Sequence, residues 1–218
     1  MFFRDRDEAA RQLASALEKW RGQRPLVLAI ARGAVPMGRI IANALAGELD
    51  VVLTRKIGAP GHAEYAIGAV GESGWSVIDE SAALVGASRA YLDHEIAAQR
   101  ALMAKRRKAY TPHRSPIDCA GRIVIVVDDG LATGATMVAA LHDLRERQPA
   151  RLICAVPVAS REAYVRVAAY ADEVVALDTP VNFMAVGQFY REFPQVSDEE
   201  VIALLRGNTH KDRAPAAS

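Results

Sequence analysis

Cysteine is scarce: the 218 residues hold two, Cys119 and Cys154, far apart and in no Cys-x-x-Cys or Cys/His spacing. That excludes a disulfide framework and the usual structural zinc patterns. Cys154 stands inside the apolar run "RLICAVPV", where a reduced, buried thiol is expected. Net charge is nearly absent as well, with 27 Lys and Arg against 26 Asp and Glu leaving +1. No global field therefore favours nucleic acid or an acidic membrane surface, and an anionic ligand must be caught locally. No apolar run approaches the length needed to span a bilayer. The first stretch, "MFFRDRDEAARQL", is charged where a signal peptide would be apolar. A soluble, cytoplasmic protein is the expectation. There is no internal repeat.

What the chain has in quantity is apolar material, 51% of the sequence, enough for one sizeable core in a single domain over residues 1–218. Residues 6–20 show helical spacing through Ala10, Leu13, Leu17 and Trp20, with Asp5 or Asp7 as the cap. "PLVLAIA", "DVVLTRK", "RIVIVV", "RLICAVPV" and "DEVVAL" are apolar runs of strand length. Helical segments at 35–46, 136–147 and 160–170 alternate with them. A longer amphipathic helix over 88–110 runs through Leu92, Ile96, Gln99 and Met103. Strands without polar alternation, interleaved with helices, predict an α/β, Rossmann-like, mostly parallel sheet covered on both faces. The core spans about 25–178. The Gly-rich segment 57–74 reads as a loop plus a hairpin, with short strand pieces at 65–70 and 75–78. Residues 179–206 form a small C-terminal hood, and the polar tail 207–218 is expected to be disordered.

In such a sheet, right-handed crossovers bring every strand-to-helix turn to one edge, where ligands bind. That edge carries Arg32-Gly33 after the first strand, Arg55-Lys56 after the second, and "DDGLATGAT" after the third. The Thr133-Gly134-Ala135-Thr136 turn opens a helix, so its N–H groups lack intrahelical partners and the helix dipole adds positive potential. Gly134 allows close backbone approach, and two threonine hydroxyls can donate. This is a phosphate cradle, though not the nucleotide P-loop, since residues 130–136 contain no lysine. Taken alone, the turn could equally be a capped strand-to-helix connection. Asp128 and Asp129 would repel a phosphate but accept hydrogen bonds from neutral hydroxyls. A ligand carrying a phosphate near a vicinal diol is a ribose 5-phosphate. The alternative is that the acids pair with Arg122 or Lys56.

"IVIVVDDGLATGAT" resembles the phosphoribosyl pyrophosphate (PRPP) signature of the type I phosphoribosyltransferases: apolar strand, two acids, TG-x-T turn, helix. "LTRKIGAPGHAEYAIGAVGE" and "AVGQFYREFPQVSDEEV" further resemble a bacterial group of predicted phosphoribosyltransferases. The resemblance implies that Asp128 and Asp129 hold the ribose 2- and 3-hydroxyls. Ala132, Thr133, Gly134, Ala135 and Thr136 would wrap the 5-phosphate. Ala31, Arg32 and Gly33 would form the pyrophosphate loop, often built on a non-proline cis peptide, joined there by Arg55 and Lys56. It also implies Mg²⁺ carried by PRPP near Asp128 and Asp129, with no direct protein ligand, and a homodimer. Displacing pyrophosphate builds positive charge on the ribose and negative charge on the leaving group. Arg32, Arg55 and Lys56 would stabilise the latter, each such donor being worth roughly a hundredfold to a thousandfold in rate. Segment 57–74 would be a mobile loop closing to exclude water, or simply a flexible hairpin connection.

The acceptor is less defined. In the family's 6-oxopurine enzymes an acid precedes the TG of the signature. Ala132 stands there in this chain and argues against hypoxanthine or guanine. Glu64 is either a general base or an exposed loop acid, and His62 is a weaker candidate. In "DTPVNFMAVGQFYREF", reminiscent of a purine-salvage hood, Phe183 could stack on a flat acceptor or serve as core. "KRRKAY" complements the dipole at a helix end and gives little reason to expect nucleic acid. Two functions follow: a Mg²⁺-dependent phosphoribosyltransferase with catalytic Arg55, Lys56 and Glu64, or a PRPP- or nucleotide-sensing regulator of the same fold. Intact leaving-group cations favour the enzyme. A phosphohydrolase would need a nucleophile or metal cluster that the sequence does not offer.

Overall fold

The computed structural model describes residues 1–112 and 114–206; the tail expected to be disordered lies outside the described residues. Five strands form a parallel sheet: β1 Leu26–Ile30, β2 Glu48–Val52, β6 Ile123–Val127, β7 Arg151–Val158 and β8 Glu173–Asp178, in the order β2-β1-β6-β7-β8. Between β2 and β6 the chain inserts an antiparallel sheet of β3 Thr54–Ala59, β4 His62–Gly71 and β5 Ser76–Ile78. The helices are α1 Arg6–Ala16, α2 Val35–Leu45, α3 Ser81–Leu84, α4 Arg89–Tyr110, α5 Ala135–Arg145, α6 Arg161–Ala168 and α7 Asp198–Arg206. Among the described residues, no helix is long and apolar enough to cross a membrane.

The apolar strand runs explain the layering. Alternate side chains of a strand point to opposite faces, and both faces here are buried. Val27, Ala29, Leu49, Val51, Ile125 and Ile153 face the layer of α1, α2 and α7. Leu28, Val124, Val126, Leu152 and Cys154 face α5 and α6 through Met137, Leu141, Leu144 and Val167. At roughly 25 cal/mol per Å² of apolar surface, such two-sided burial is what fixes the sheet. The expected α/β sheet with helices on both faces is the observed fold.

"DVVLTRK" does not form one strand. The parallel edge strand ends at Val52, and from Thr54 the backbone pairs antiparallel with β4, Thr54 opposite Gly71. Leu53 turns between them, its N–H donating to Glu72 Oε2 at 3.2 Å. Arg55 and Lys56 therefore lie within a hairpin rather than at the end of a core strand. Most of segment 57–74 is that hairpin: the residues at its tip, 61–65, are exposed, while β4 is buried from Ile67 onward. The hairpin's base is pinned to α5, where buried Asp143 accepts from the Ser73 N–H at 3.0 Å and from the Ser73 hydroxyl. The N-terminal helix also stops early, giving way to a short 3-10 turn at Glu18–Trp20.

Candidate active site

Strands β2 and β6 flank β1 on opposite sides, so successive connections leave the sheet in opposite directions there. A crevice opens beyond the strand ends at such a point. The chain builds into it a cleft of about 860 Å³, walled by residues 31–33, Arg55 and Lys56, residues 128–136, α4 and the hood. Every residue singled out from the sequence for PRPP lines this one cleft, and Glu64 lines it from the hairpin. The Ala31–Arg32 peptide bond is cis, as the resemblance implied.

In the cradle, Gly134 is the N-cap of α5 at φ 73°, a left-handed conformation that side-chain-bearing residues seldom adopt. Two supports hold the preceding backbone from behind. Ser160 Oγ donates to the Ala132 carbonyl at 2.7 Å, and Arg166 Nη1 donates to that of Thr133 at 3.3 Å. Arg166 also pairs with Asp79, another cleft residue, at 2.8 Å. Ala132 and Thr133 are exposed.

On the cationic side, Arg55 is half-buried with its Nε donating to Gln99 Oε1 at 2.9 Å. Burial, with Arg106 and Arg32 close by, draws its pKa down from the ordinary guanidinium value. It still stays charged at neutral pH, as arginine does in proteins. Arg32 Nη1 lies 3.9 Å from Asp198 at the start of α7, and Asp198 in turn accepts from the Tyr110 hydroxyl. Lys56 is exposed.

The two acids differ in their partners. Asp128 Oδ1 accepts from the Asp129 N–H at 2.9 Å. Burial, then the neighbouring Asp129 charge, hold the Asp128 carboxyl well above the usual carboxylate range. Burial also raises Asp129, but Arg6 pulls it back. Arg6 reaches Asp129 Oδ2 through Nη2 at 2.9 Å and Nε at 3.1 Å. Gly33 is what allows the acid to sit there, since a Cβ at that residue would lie 2.4 Å from Asp129 Oδ2. Arg122, weighed as a partner for the acids, pairs instead with Glu48 at 2.5 Å.

Phe183 does not line the cleft. Its ring packs on Phe189 with centroids 5.2 Å apart, against the core. The hood wall is made by Met184, Ala185, Val186, Gly187 and Phe193. His62 is exposed at the hairpin tip and faces a groove there rather than the cleft. Arg6 and Phe193 were not legible as site residues: Arg6 stands in an unremarkable charged run, 123 positions from its partner.

The two acids and the helix-entry turn thus stand together in a crevice at the switch point of a parallel sheet. The chain belongs to the phosphoribosyl transferase domain family, whose model matches residues 4–193. It is similar to the crystal structure of TT1426 from Thermus thermophilus, with 47% identity, a TM-score of 0.79, and 95% of this chain and 99% of that one covered. A Mycobacterium tuberculosis protein provisionally named a phosphoribosyl transferase, in two strains, is 40% identical over 217 residues, 99% of this chain. The chain spans about half the length of these curated relatives, 49%.

Proposed function

We propose that the protein transfers the 5-phosphoribosyl group of PRPP to a nitrogenous, nucleobase-like acceptor, with release of pyrophosphate. The observation that carries this reading is the meeting of cradle, paired acids and cations in one cleft. The 5-phosphate would sit on the N–H groups of residues 132–136 at the start of α5. Asp128 and the Oδ1 side of Asp129 would accept from the ribose hydroxyls, Arg6 occupying Oδ2. Arg32, Arg55 and Lys56 would face the pyrophosphate.

In the reaction, an acceptor nitrogen forms a bond to the anomeric carbon as the bond from that carbon to pyrophosphate breaks. The electron pair leaves with pyrophosphate, and the acceptor's N–H proton passes to a base. Glu64, on the hairpin wall, is the side chain we assign to that proton. The cations stabilise charge that develops on the leaving oxygen, where preorganised donors act most strongly. The oxygen-rich surroundings of Asp128 and Asp129 suit a Mg²⁺ carried on the substrate phosphates, the usual mode for that ion, without a direct protein ligand. When bound, Mg²⁺ would neutralise charge on the pyrophosphate oxygens. The apolar hood wall, with Ala132 beside it, suits a flat acceptor that is not a 6-oxopurine.

The test is pyrophosphate release from Mg²⁺-PRPP across a panel of nucleobases and amines. Release with at least one acceptor, lost in Arg55→Ala by about a hundredfold or more, is expected. Tight PRPP binding without release on any acceptor would convert the reading to that of a PRPP sensor.

A further inference from the structure

One guanidinium joins parts of the molecule that are remote in sequence. Arg6 is the first residue of α1, and that helix is seated on the sheet by buried Ala9, Ala10 and Leu13. The Asp5 side chain caps it, accepting from the Glu8 N–H at 2.8 Å. The chain just before α1 runs beside the hood in a parallel bridge between Phe3 and Tyr190. Arg191 donates to the Phe3 carbonyl at 2.9 Å and Glu192 to that of Arg4 at 2.8 Å. This register carries Phe193 over Arg6, with the guanidinium carbon 3.7 Å from the ring centroid. Arg6 Nη1 also donates to the Pro194 carbonyl at 2.6 Å, while Nε and Nη2 grip Asp129 Oδ2.

The side chain is 10% exposed, so these contacts are poorly screened. The planar fork suits this double contact, because two N–H groups converge on one carboxylate oxygen while the flat face lies on an aromatic ring. Lysine could supply charge but neither the fork nor the stack. A second strut runs in parallel, since the Tyr190 hydroxyl donates to the Asp129 carbonyl at 2.7 Å and the Tyr190 ring stacks on Phe193 at 4.8 Å. Phe193 in turn lines the cleft beside Val186 and Gly187. Asp129 and Phe193 thus cannot shift independently of Arg6.

We propose that Arg6 is a positioning residue that couples the ribose-reading carboxylate Asp129 to the acceptor wall of the hood. Donor binding at Asp129 thereby sets where Phe193 stands, and a change at Phe193 is felt at the donor site. This rests on the PRPP reading given above. Arg6 has a second duty, to keep charge on Asp129 beside Asp128. The other charged or titratable groups facing these acids are Lys56 and Tyr190, with Cys154 beyond Asp128.

The experiment measures Mg²⁺-PRPP affinity by calorimetry as a function of pH in wild type, Arg6→Met, Arg6→Lys, Phe193→Leu and the Arg6→Met/Phe193→Leu double variant. Thermal melts verify folding. Arg6→Met should weaken binding about tenfold or more and move the acid limb of the affinity profile to higher pH, as Asp129 loses its strongest cation. Arg6→Lys should return the limb towards its wild-type position. Phe193→Leu should weaken PRPP binding severalfold when Arg6 is present and leave it unchanged in the Arg6→Met background. A merely structural role would move neither the pH limb nor this non-additivity. Should Arg6→Met not fold, Arg6→Lys and Phe193→Leu carry the test: full PRPP affinity in both overturns the coupling. Equal effects of Phe193→Leu in the two backgrounds also overturn it. Absence of PRPP binding by wild type would overturn the proposed function itself, and the coupling with it.

Discussion

Asp128 and Asp129 are chemical twins in adjacent positions, and their partners make them different. Asp129 has a guanidinium on Oδ2; Asp128 has a backbone N–H and a like-charged neighbour. Burial and that neighbour raise the Asp128 carboxyl well above the usual range. A folded-state value above the unfolded one means that folding favours the neutral acid. The stability associated with it is full below the ordinary carboxylate range and is lost as pH rises through the folded value. Asp128→Asn removes the charge while keeping an oxygen to accept the Asp129 N–H. The variant should melt above wild type at neutral pH, by roughly 2–4 °C for each kcal/mol of burial cost and repulsion relieved. Its advantage should shrink as pH falls towards the ordinary carboxylate range, while PRPP binding weakens. Scanning calorimetry at the two pH values decides this, and an advantage that does not change with pH would refute it. A site that keeps a carboxyl where the fold would prefer an amide is trading stability for chemistry.

At the scale of elements, the boundary between the parallel sheet and the hairpin depends on one buried acid. Asp50, on the edge strand β2, is fully buried and holds Arg114 at 2.8 and 3.0 Å and the Ile117 N–H at 2.9 Å, with Arg107 at 3.7 Å. Arg107 lies near the C-terminal end of α4 and continues to Glu72 on the hairpin. The N-terminal half of α4 presents Tyr91, Glu95 and Gln99 to the cleft, so this network holds a wall of the site in place. Asp50→Ala would leave two guanidiniums short of a partner and should cost about 3 kcal/mol, at the low end for a broken buried pair because Arg107 keeps Glu72. Urea denaturation measures it, and a loss below about 1 kcal/mol, the level of an exposed pair, would contradict the argument. Such a network explains where sequence reading ran short. The strands β1, β6 and β7 and the cradle were legible because short-range pattern encodes them: apolar runs, a glycine at a helix start, acids at a strand end. The break at Leu53 was not, because Val51 to Thr54 read as uninterrupted strand and only pairing with Gly71 reveals the change of sheet. Phe183 and Phe193 are ten residues apart in one aromatic-rich segment, and composition cannot tell which faces the core.

Taken whole, the cleft is lined from Ile30 through the sheet and hairpin to Phe193, with Arg6 joined to it through Asp129. The groups proposed to hold anions must act locally, since the net charge of +1 provides no field to assist them. A ligand that touches all of these parts must stabilise them together. At a hundred times its dissociation constant, Mg²⁺-PRPP should add about 2.7 kcal/mol to stability. For a chain of this size that is roughly 5–10 °C in melting temperature. Inorganic phosphate can engage the cradle alone and should give a smaller shift, and Mg²⁺ by itself little. Asp129→Asn separates the parts: the cradle is built from residues 132–136 and braced by Ser160 and Arg166, so the phosphate shift should persist. Most of the PRPP shift should disappear, because the amide offers a weaker acceptor to the ribose hydroxyls and releases Arg6. Thermal melts with each ligand distinguish the outcomes. A PRPP shift as large in Asp129→Asn as in wild type would detach that acid from the sugar and leave only the phosphate half of the site standing.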